Sequence, residues 1–114
     1  MTNTNEIQKK IYIIVRPDLA PGLQAAQACH ALREFVEKFP EIDREWFTTS
    51  NNIVVLNARS HGHLLRLAGL AVDHSIACAQ FFEPDCDNEL TAIALGPEGS
   101  KLVSQLPLAL KAAA

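Results

Sequence analysis

The stretch I-Y-I-I-V-R-P-D-L-A-P-G-L-Q-A-A-Q-A-C-H-A, residues 11–31, decides the fold. Ile11 to Arg16 is a continuous β-branched and aromatic run, the composition of a strand covered on both faces. Pro17 to Gly22 stops it, because two prolines and a glycine fix a loop that cannot continue a ladder. A helix is expected from about Leu23 to Phe39. Ala25, Ala28, Cys29, Leu32, Phe35, Val36 and Phe39 recur there at helical spacing and form its expected core stripe. Ala25, Ala28 and Cys29 are small, so the first turns are expected to approach the sheet closely. A buried strand that feeds a helix through a short loop opens an α/β sheet. In such sheets ligands gather at the C-terminal ends of parallel strands, beside the first helical turn.

The rest of the chain extends that pattern. Pro40 breaks the long helix, and Glu41 to Phe47 suits a short second one. Thr48 to Asn52 is a polar connection into a buried strand, Ile53 to Leu56. Ser60 is the expected N-cap of a helix over His61 to Ala71, with Leu64, Leu65, Leu67, Ala68 and Ala71 on its apolar side. Ser75 to Phe82 reads as a third strand. Glu83 to Glu89 is an acidic loop turned by Pro84 and Asn88, and Leu90 to Leu95 is a fourth strand. Gly96-Pro97 ends it, Glu98 to Leu106 suits a last helix, and Pro107 leaves an apolar tail with Leu108 and Leu110. The order β-α-(α)-β-α-β-β-α predicts an α/β fold, three-layer α/β/α around a four-stranded mixed sheet, its last two strands an antiparallel hairpin. With no repeat, low-complexity segment or linker, residues 11–114 read as one domain behind a polar extension, residues 1–10.

Composition narrows the function. Of the 114 residues 48% are hydrophobic and 20% charged, as in an ordinary globular protein. No apolar run approaches the roughly 18 residues of a membrane span, and Met1 to Lys10 lacks the apolar centre of a secretory signal, so a cytoplasmic location is expected. Cys29, Cys78 and Cys86 are odd in number and widely spaced, which suits a reducing compartment. His61, His63 and His74 lack zinc-ligand spacing and read as surface residues. The acids of the hairpin lack the register of a calcium loop, so no metal site and no cofactor is expected. The net charge is −3 and no basic run exceeds Lys9-Lys10. RNA binding would therefore need scattered cations to converge in three dimensions.

From Val15 the chain resembles the signature of peptidyl-tRNA hydrolases of the archaeal and eukaryotic type. In that family a strand ending V-R-x-D-L leads through a glycine loop into a helix carrying A-A-Q-x-x-H-A. Val15, Arg16, Asp18, Leu19, Gly22, Ala25, Ala26, Gln27, His30 and Ala31 match it. Thr91 through Gly96-Pro97 resembles the family's last strand running into a G-P and the final helix, and the element order agrees from Ile11 to about Leu106. Two departures stand out. The family's loop lysines, one of them implicated in catalysis, are replaced by Leu23-Gln24, with no lysine between Arg16 and His30. The family's D-A-G-R-T-Q stretch, source of an aspartate and a threonine, is replaced by the acidic loop. The resemblance implies a peptidyl-tRNA substrate and hydrolysis of the ester that joins the peptide to the tRNA.

Such hydrolysis needs an activated water, a stabilised oxyanion and a held ribose-phosphate end. Asp18, Gln27, Asp85 and Thr91 are the candidate catalytic residues, and Arg16, Gly22 and His30 the candidate substrate contacts. Each has a plainer alternative. Asp18 suits either a strand-end functional carboxylate or an Asx turn or helix cap. Gln27, placed opposite the apolar stripe, either orients water or is merely solvated, and His30 beside it is either a contact or a structural residue. Arg16 either holds a phosphate or pairs with Asp18, the pairing being favoured. Among Glu83, Asp85, Asp87 and Glu89 the base is expected at Asp85, which follows Pro84; the alternative is a solvated hairpin. Thr91 offers a hydroxyl or simply suits a strand. Gly22 permits close backbone approach. Arg59 or Lys101 could supply the missing cation. Cys29 and His30 diverge by about 100° on a helix and form no dyad; Cys29 reads as core, and Cys86 as exposed among acids that disfavour its thiolate.

Two rivals differ in class from that hydrolase. One is a non-catalytic binding module for an RNA end, a nucleotide or a protein; the other is a hydrolase of another small ester or amide. The apolar tail at Leu108 and Leu110 suits a homodimer contact.

Overall fold

The computed structural model describes residues 9–111. Most of the polar extension read over residues 1–10 lies outside the described residues, and Lys10 itself opens the first strand. The elements are β1 (Lys10–Val15), α1 (Pro21–Lys38), α2 (Pro40–Thr48), β2 (Asn52–Asn57), α3 (His61–Asp73), β3 (Cys78–Glu83), β4 (Glu89–Leu95) and a short α4 (Ser100–Val103). The sheet order is β2-β1-β4-β3. β1 runs parallel to β2 and antiparallel to β4, and β3 and β4 form the expected hairpin.

Two packed layers flank this mixed sheet. On one face Ala28, Ala31 and Phe35 of α1 and Trp46 of α2 meet Ile11, Ile13, Val15, Ala79, Ala92 and Ala94. On the other, Leu64, Leu67, Ala68 and Ala71 of α3, with Val103 of α4, meet Ile14, Leu56, Leu90, Ile93 and Leu95. Alternation along β1 and β4 feeds both layers, which is why neither strand shows a polar face.

Several boundaries move, each for a local reason. α1 begins at Pro21, since a proline's missing N–H costs nothing in a first turn. Ser60 caps α3 as expected, its hydroxyl accepting from the His63 N–H. The helix expected over Glu98 to Leu106 shrinks to a 3-10 turn, Pro97–Gly99, and the four residues of α4. At Gly99 a Cβ would come within 2.8 Å of the Leu95 Cβ, so the chain turns there without a side chain. The apolar tail lies along the open edge of β2: Leu108 bridges Leu56, and the Ala109 N–H donates to the Val55 carbonyl.

The core stripe of α1 is corrected. Ala25 and Cys29 are exposed, and the buried face runs through Gln24, Gln27, Ala28, Ala31 and Phe35. That face has helical spacing as good as the expected one. Two glutamines occupy it because both find polar partners at the end of the sheet.

Candidate functional site

The C-terminal end of β1, the first turns of α1, the end of β3 and the start of β4 meet at one end of the sheet. Two side-chain clusters form there. The first is buried. Gln27 is wholly shielded from solvent, as is Thr91. The Thr91 hydroxyl donates to Gln27 Oε1 at 2.7 Å, and Gln27 Nε2 donates to Glu83 Oε1 at 3.0 Å. The placing of Gln27 opposite the apolar stripe is thereby corrected: its amide is buried, with a hydrogen bond at each of its two polar atoms. What it does is aim Glu83, a half-buried carboxylate at the end of β3 whose second oxygen makes no hydrogen bond among the described residues.

A bulge explains why Thr91 can take part. Phe81 pairs with Ala92 and Phe82 with Leu90, so Thr91 faces no residue of β3. The extra residue turns its hydroxyl toward α1 while its carbonyl accepts the Arg16 N–H at 3.0 Å. Bulges recur beside functional sites because they re-aim one side chain without dissolving the sheet. Beside this cluster the exposed His30 ring stacks on Phe81, with centroids 4.4 Å apart and planes 14° apart.

The second cluster is ionic. Arg16 donates through Nε and Nη2 to the two oxygens of Asp18, at 3.0 and 2.6 Å, and through Nη1 to Glu89 Oε2 at 3.0 Å. The guanidinium is largely covered, whereas both carboxylates remain substantially exposed. The hydrogen bond from Arg16 holds the Asp18 carboxyl below the usual carboxylate range, and the same bond raises the guanidinium further. Asp18 is thus an arginine partner; the cap position of α1 belongs to Ala20, which offers no side-chain bond. Gln24 joins the two structural halves, donating to the Arg16 carbonyl at 2.7 Å and to Asn57 Oδ1 at 3.1 Å.

The expected residues therefore divide. Arg16, Asp18, Gln27, His30 and Thr91 come together. Asp85 does not join them: it sits exposed in the 3-10 turn Pro84–Cys86 and makes no hydrogen bond or ion pair among the described residues. Glu83 and Glu89, at the two roots of the hairpin, are the acids the fold organises. Asp87 and Asn88 close the hairpin in the left-handed region, at φ of 55° and 58°, which Asp and Asn tolerate best after glycine. Gly22 is exposed, and a Cβ there would touch nothing. Gln24, which sequence reasoning missed, and Glu83, which it ranked behind Asp85, carry no distinguishing signal of their own, because their partners lie far away in the chain. Among the described residues no group of three or more His, Cys, Asp or Glu could hold a metal ion, and no helix is long and apolar enough to cross a membrane.

A cavity of about 550 Å³ lies elsewhere, at the opposite end of the sheet, lined by Phe39, Ile42, Trp46, Val72, Cys78 and Gly96 among others. It is mainly apolar and touches none of the clustered polar residues.

Comparison with known proteins bears on the fold first. Among solved structures, a protein of unknown function from Agrobacterium tumefaciens strain C58 superposes with a TM-score of 0.65 at 18% identity. The match covers 88% of this chain and 96% of that one, and it speaks to the fold alone. No curated protein matches the chain. The family profile described as Peptidyl-tRNA hydrolase PTH2 matches residues 9–113, nearly the whole length. That span includes both polar clusters, and on it the chain belongs to the peptidyl-tRNA hydrolase PTH2 family.

Proposed function

We propose that the chain is a peptidyl-tRNA hydrolase that cleaves the ester between a peptide and the ribose at the tRNA 3′ end. The observation that supports this reading best is the relay from Thr91 through Gln27 to Glu83. A carboxylate held by a buried amide, with its other oxygen open, is suited to take a proton from water. Glu83 accepts that proton as the water oxygen attacks the ester carbonyl. It returns the proton to the ribose oxygen as the C–O bond breaks, leaving a free peptide acid and a free hydroxyl. Gln27 and Thr91 act as positioning residues, while the exposed His30 ring on Phe81 offers a flat face to a base of the RNA end. Arg16 and the backbone around Gly22 lie where a phosphate of that end would approach, and Asp18 holds Arg16 in place. Neither a metal nor a cofactor enters these steps.

Glu83 takes the base role in preference to Asp85 because it alone of the two is held in place. A specific observation favours the rival binding module: Arg16, the cation of the ionic cluster, is already engaged by two carboxylates.

Single-turnover cleavage of a peptidyl-tRNA decides between them. The wild-type chain is expected to cleave, and Glu83→Gln to slow the step by about 10²- to 10⁴-fold, with Asp85→Asn far closer to wild type. Tight binding without cleavage above background would establish the module instead. Cleavage of small esters with no dependence on tRNA would point to a different hydrolase.

A further inference from the structure

The cavity at the apolar end of the sheet takes no part in the proposed chemistry and is large enough to hold a molecule. Its volume of about 550 Å³ falls within the roughly 300–1,000 Å³ of small-molecule sites. Phe39, Ile42 and Trp46 line it from α2 and the joint before it, Val72 from the end of α3, and Cys78 from the start of β3. The Trp46 Nε1–H is already donated to the Asn52 carbonyl at 2.7 Å, and burial keeps the Cys78 thiol protonated. These walls therefore offer apolar surface.

Gly96 keeps part of the space clear. Its φ of −67° and ψ of 176° are values that any residue adopts. A Cβ there would stand in ordinary contact, 3.5 Å from Ala77 Cβ and Phe35 Cζ and 3.8 Å from Ile42 Cγ2. Neither strain nor a clash calls for glycine at this position. A side chain would instead take up space beside Ile42 and Ala77, both of which line the cavity.

Charge along the lining is uneven. Lys9 pairs with Glu45, while Glu98, exposed in the 3-10 turn after β4, makes no ion pair among the described residues. Lys38 stands outside the lining, though near enough for its charge to act on Cys78. The lining thus carries one excess carboxylate, which a cationic group on a ligand would meet and an anionic group would oppose.

We propose that this cavity is a binding site for a small apolar amine, its ring or short hydrocarbon body against Trp46, Phe39 and Ile42 and its ammonium group beside Glu98. An apolar cavity leaves its wall atoms short of contact partners, and an apolar guest restores those contacts. The inference stands apart from the hydrolase reading, since none of these residues takes part in that reaction.

Trp46 is the chain's single tryptophan, so its emission reports occupancy directly. The full chain is titrated at neutral pH with phenylbutylamine, phenylbutanol and phenylbutyrate, and so are Ala77→Leu and Glu98→Gln. In the wild type the amine is expected to change the emission saturably, with a Kd on the order of 1 mM, ordinary for a ligand of this size. The thermal midpoint should rise with amine concentration, because the amine binds the folded chain. The alcohol should bind about two- to fivefold more weakly than the amine, the range of an exposed ion pair, and the acid more weakly still. Ala77→Leu fills the space and should abolish the response. Glu98→Gln should bring the amine down to the affinity of the alcohol and leave the alcohol unchanged. No saturable response to any of the three compounds, or an undiminished one in a folded Ala77→Leu, would overturn the site. Should Ala77→Leu fail to fold, Glu98→Gln decides alone: an amine preference that survived it would overturn the assignment. Phenylbutyrate binding as tightly as the amine would overturn the amine class. Each of these results leaves the hydrolase reading to the cleavage assay.

Discussion

The two ends of the sheet are built on opposite principles. At one end, Arg16, Glu83 and Glu89 close around the roots of β1, β3 and β4 in a mesh of ion pairs and hydrogen bonds. At the other, Trp46, Ile42, Phe39 and Cys78 line a mainly apolar cavity of about 550 Å³, which the ion-paired Lys9 and Glu45 also border. There burial pushes the Cys78 thiol up to about 11, the behaviour of a thiol used for packing. Burial of apolar area is strong and undirected, whereas exposed charge contributes little to stability and much to geometry. The apolar end should therefore hold the fold, and the polar end should set the chemistry.

The largest effect expected from breaking this division is at Trp46. Its side chain is 5% exposed and its Nε1 donates to the Asn52 carbonyl at 2.7 Å. Trp46→Ala removes the ring and its hydrogen bond to that carbonyl, for a loss of about 3–5 kcal/mol in urea unfolding. At a temperature where the variant stays folded, its single-turnover rate should match wild type. A rate that fell with stability would mean that the two ends are coupled.

The mirror experiment is Thr91→Val. The swap nearly conserves volume but strands Gln27 Oε1 in a fully buried site, which costs about 1–3 kcal/mol. Here the rate should fall as well, since Gln27 loses the partner that fixes its aim on Glu83. Thr91→Ser keeps a hydroxyl and is expected to recover most of both losses. If Thr91→Val lost stability with no change in rate, the relay would be structural only.

How far the sequence disclosed these two ends follows from what kind of signal made each. Strand and helix positions were legible because Ile11 to Arg16 and Leu64 to Ala71 carry strong local periodicity. The buried face of α1 was not, since the small residues around Ala25 to Ala31 fit more than one stripe. The face actually buried holds Gln24 and Gln27, whose partners Asn57, Glu83 and Thr91 lie 33 to 64 residues away. Nor did spacing mark Thr91 as a bulge or separate Glu83 from Asp85, because the hairpin's register shift depends on both strands at once. Family signatures located the polar end through Arg16, Asp18 and Gln27, but left open which of these would touch solvent.

The smallest effect belongs to the Arg16–Asp18 pair, and its pH dependence tests whether charge at the polar end is as weak a stabiliser as argued. The carboxyl is held low chiefly by the hydrogen bond from Arg16, against some burial. A carboxyl lowered in the folded state stabilises above its unfolded value, about 3.9, and that contribution fades as pH falls through the folded value. The side chain is 56% exposed, so solvent screens the pair and Asp18→Asn should cost less than about 1 kcal/mol at pH 7. The gap between wild type and Asp18→Asn in urea midpoint should be similar at pH 7 and pH 5, then close as the solution is taken below about pH 4. A gap persisting well below both values would mean that the loop after β1 needs the shape of the aspartate as well as its charge. A gap of several kcal/mol at neutral pH would undo the division itself, for the polar end would then hold the fold too.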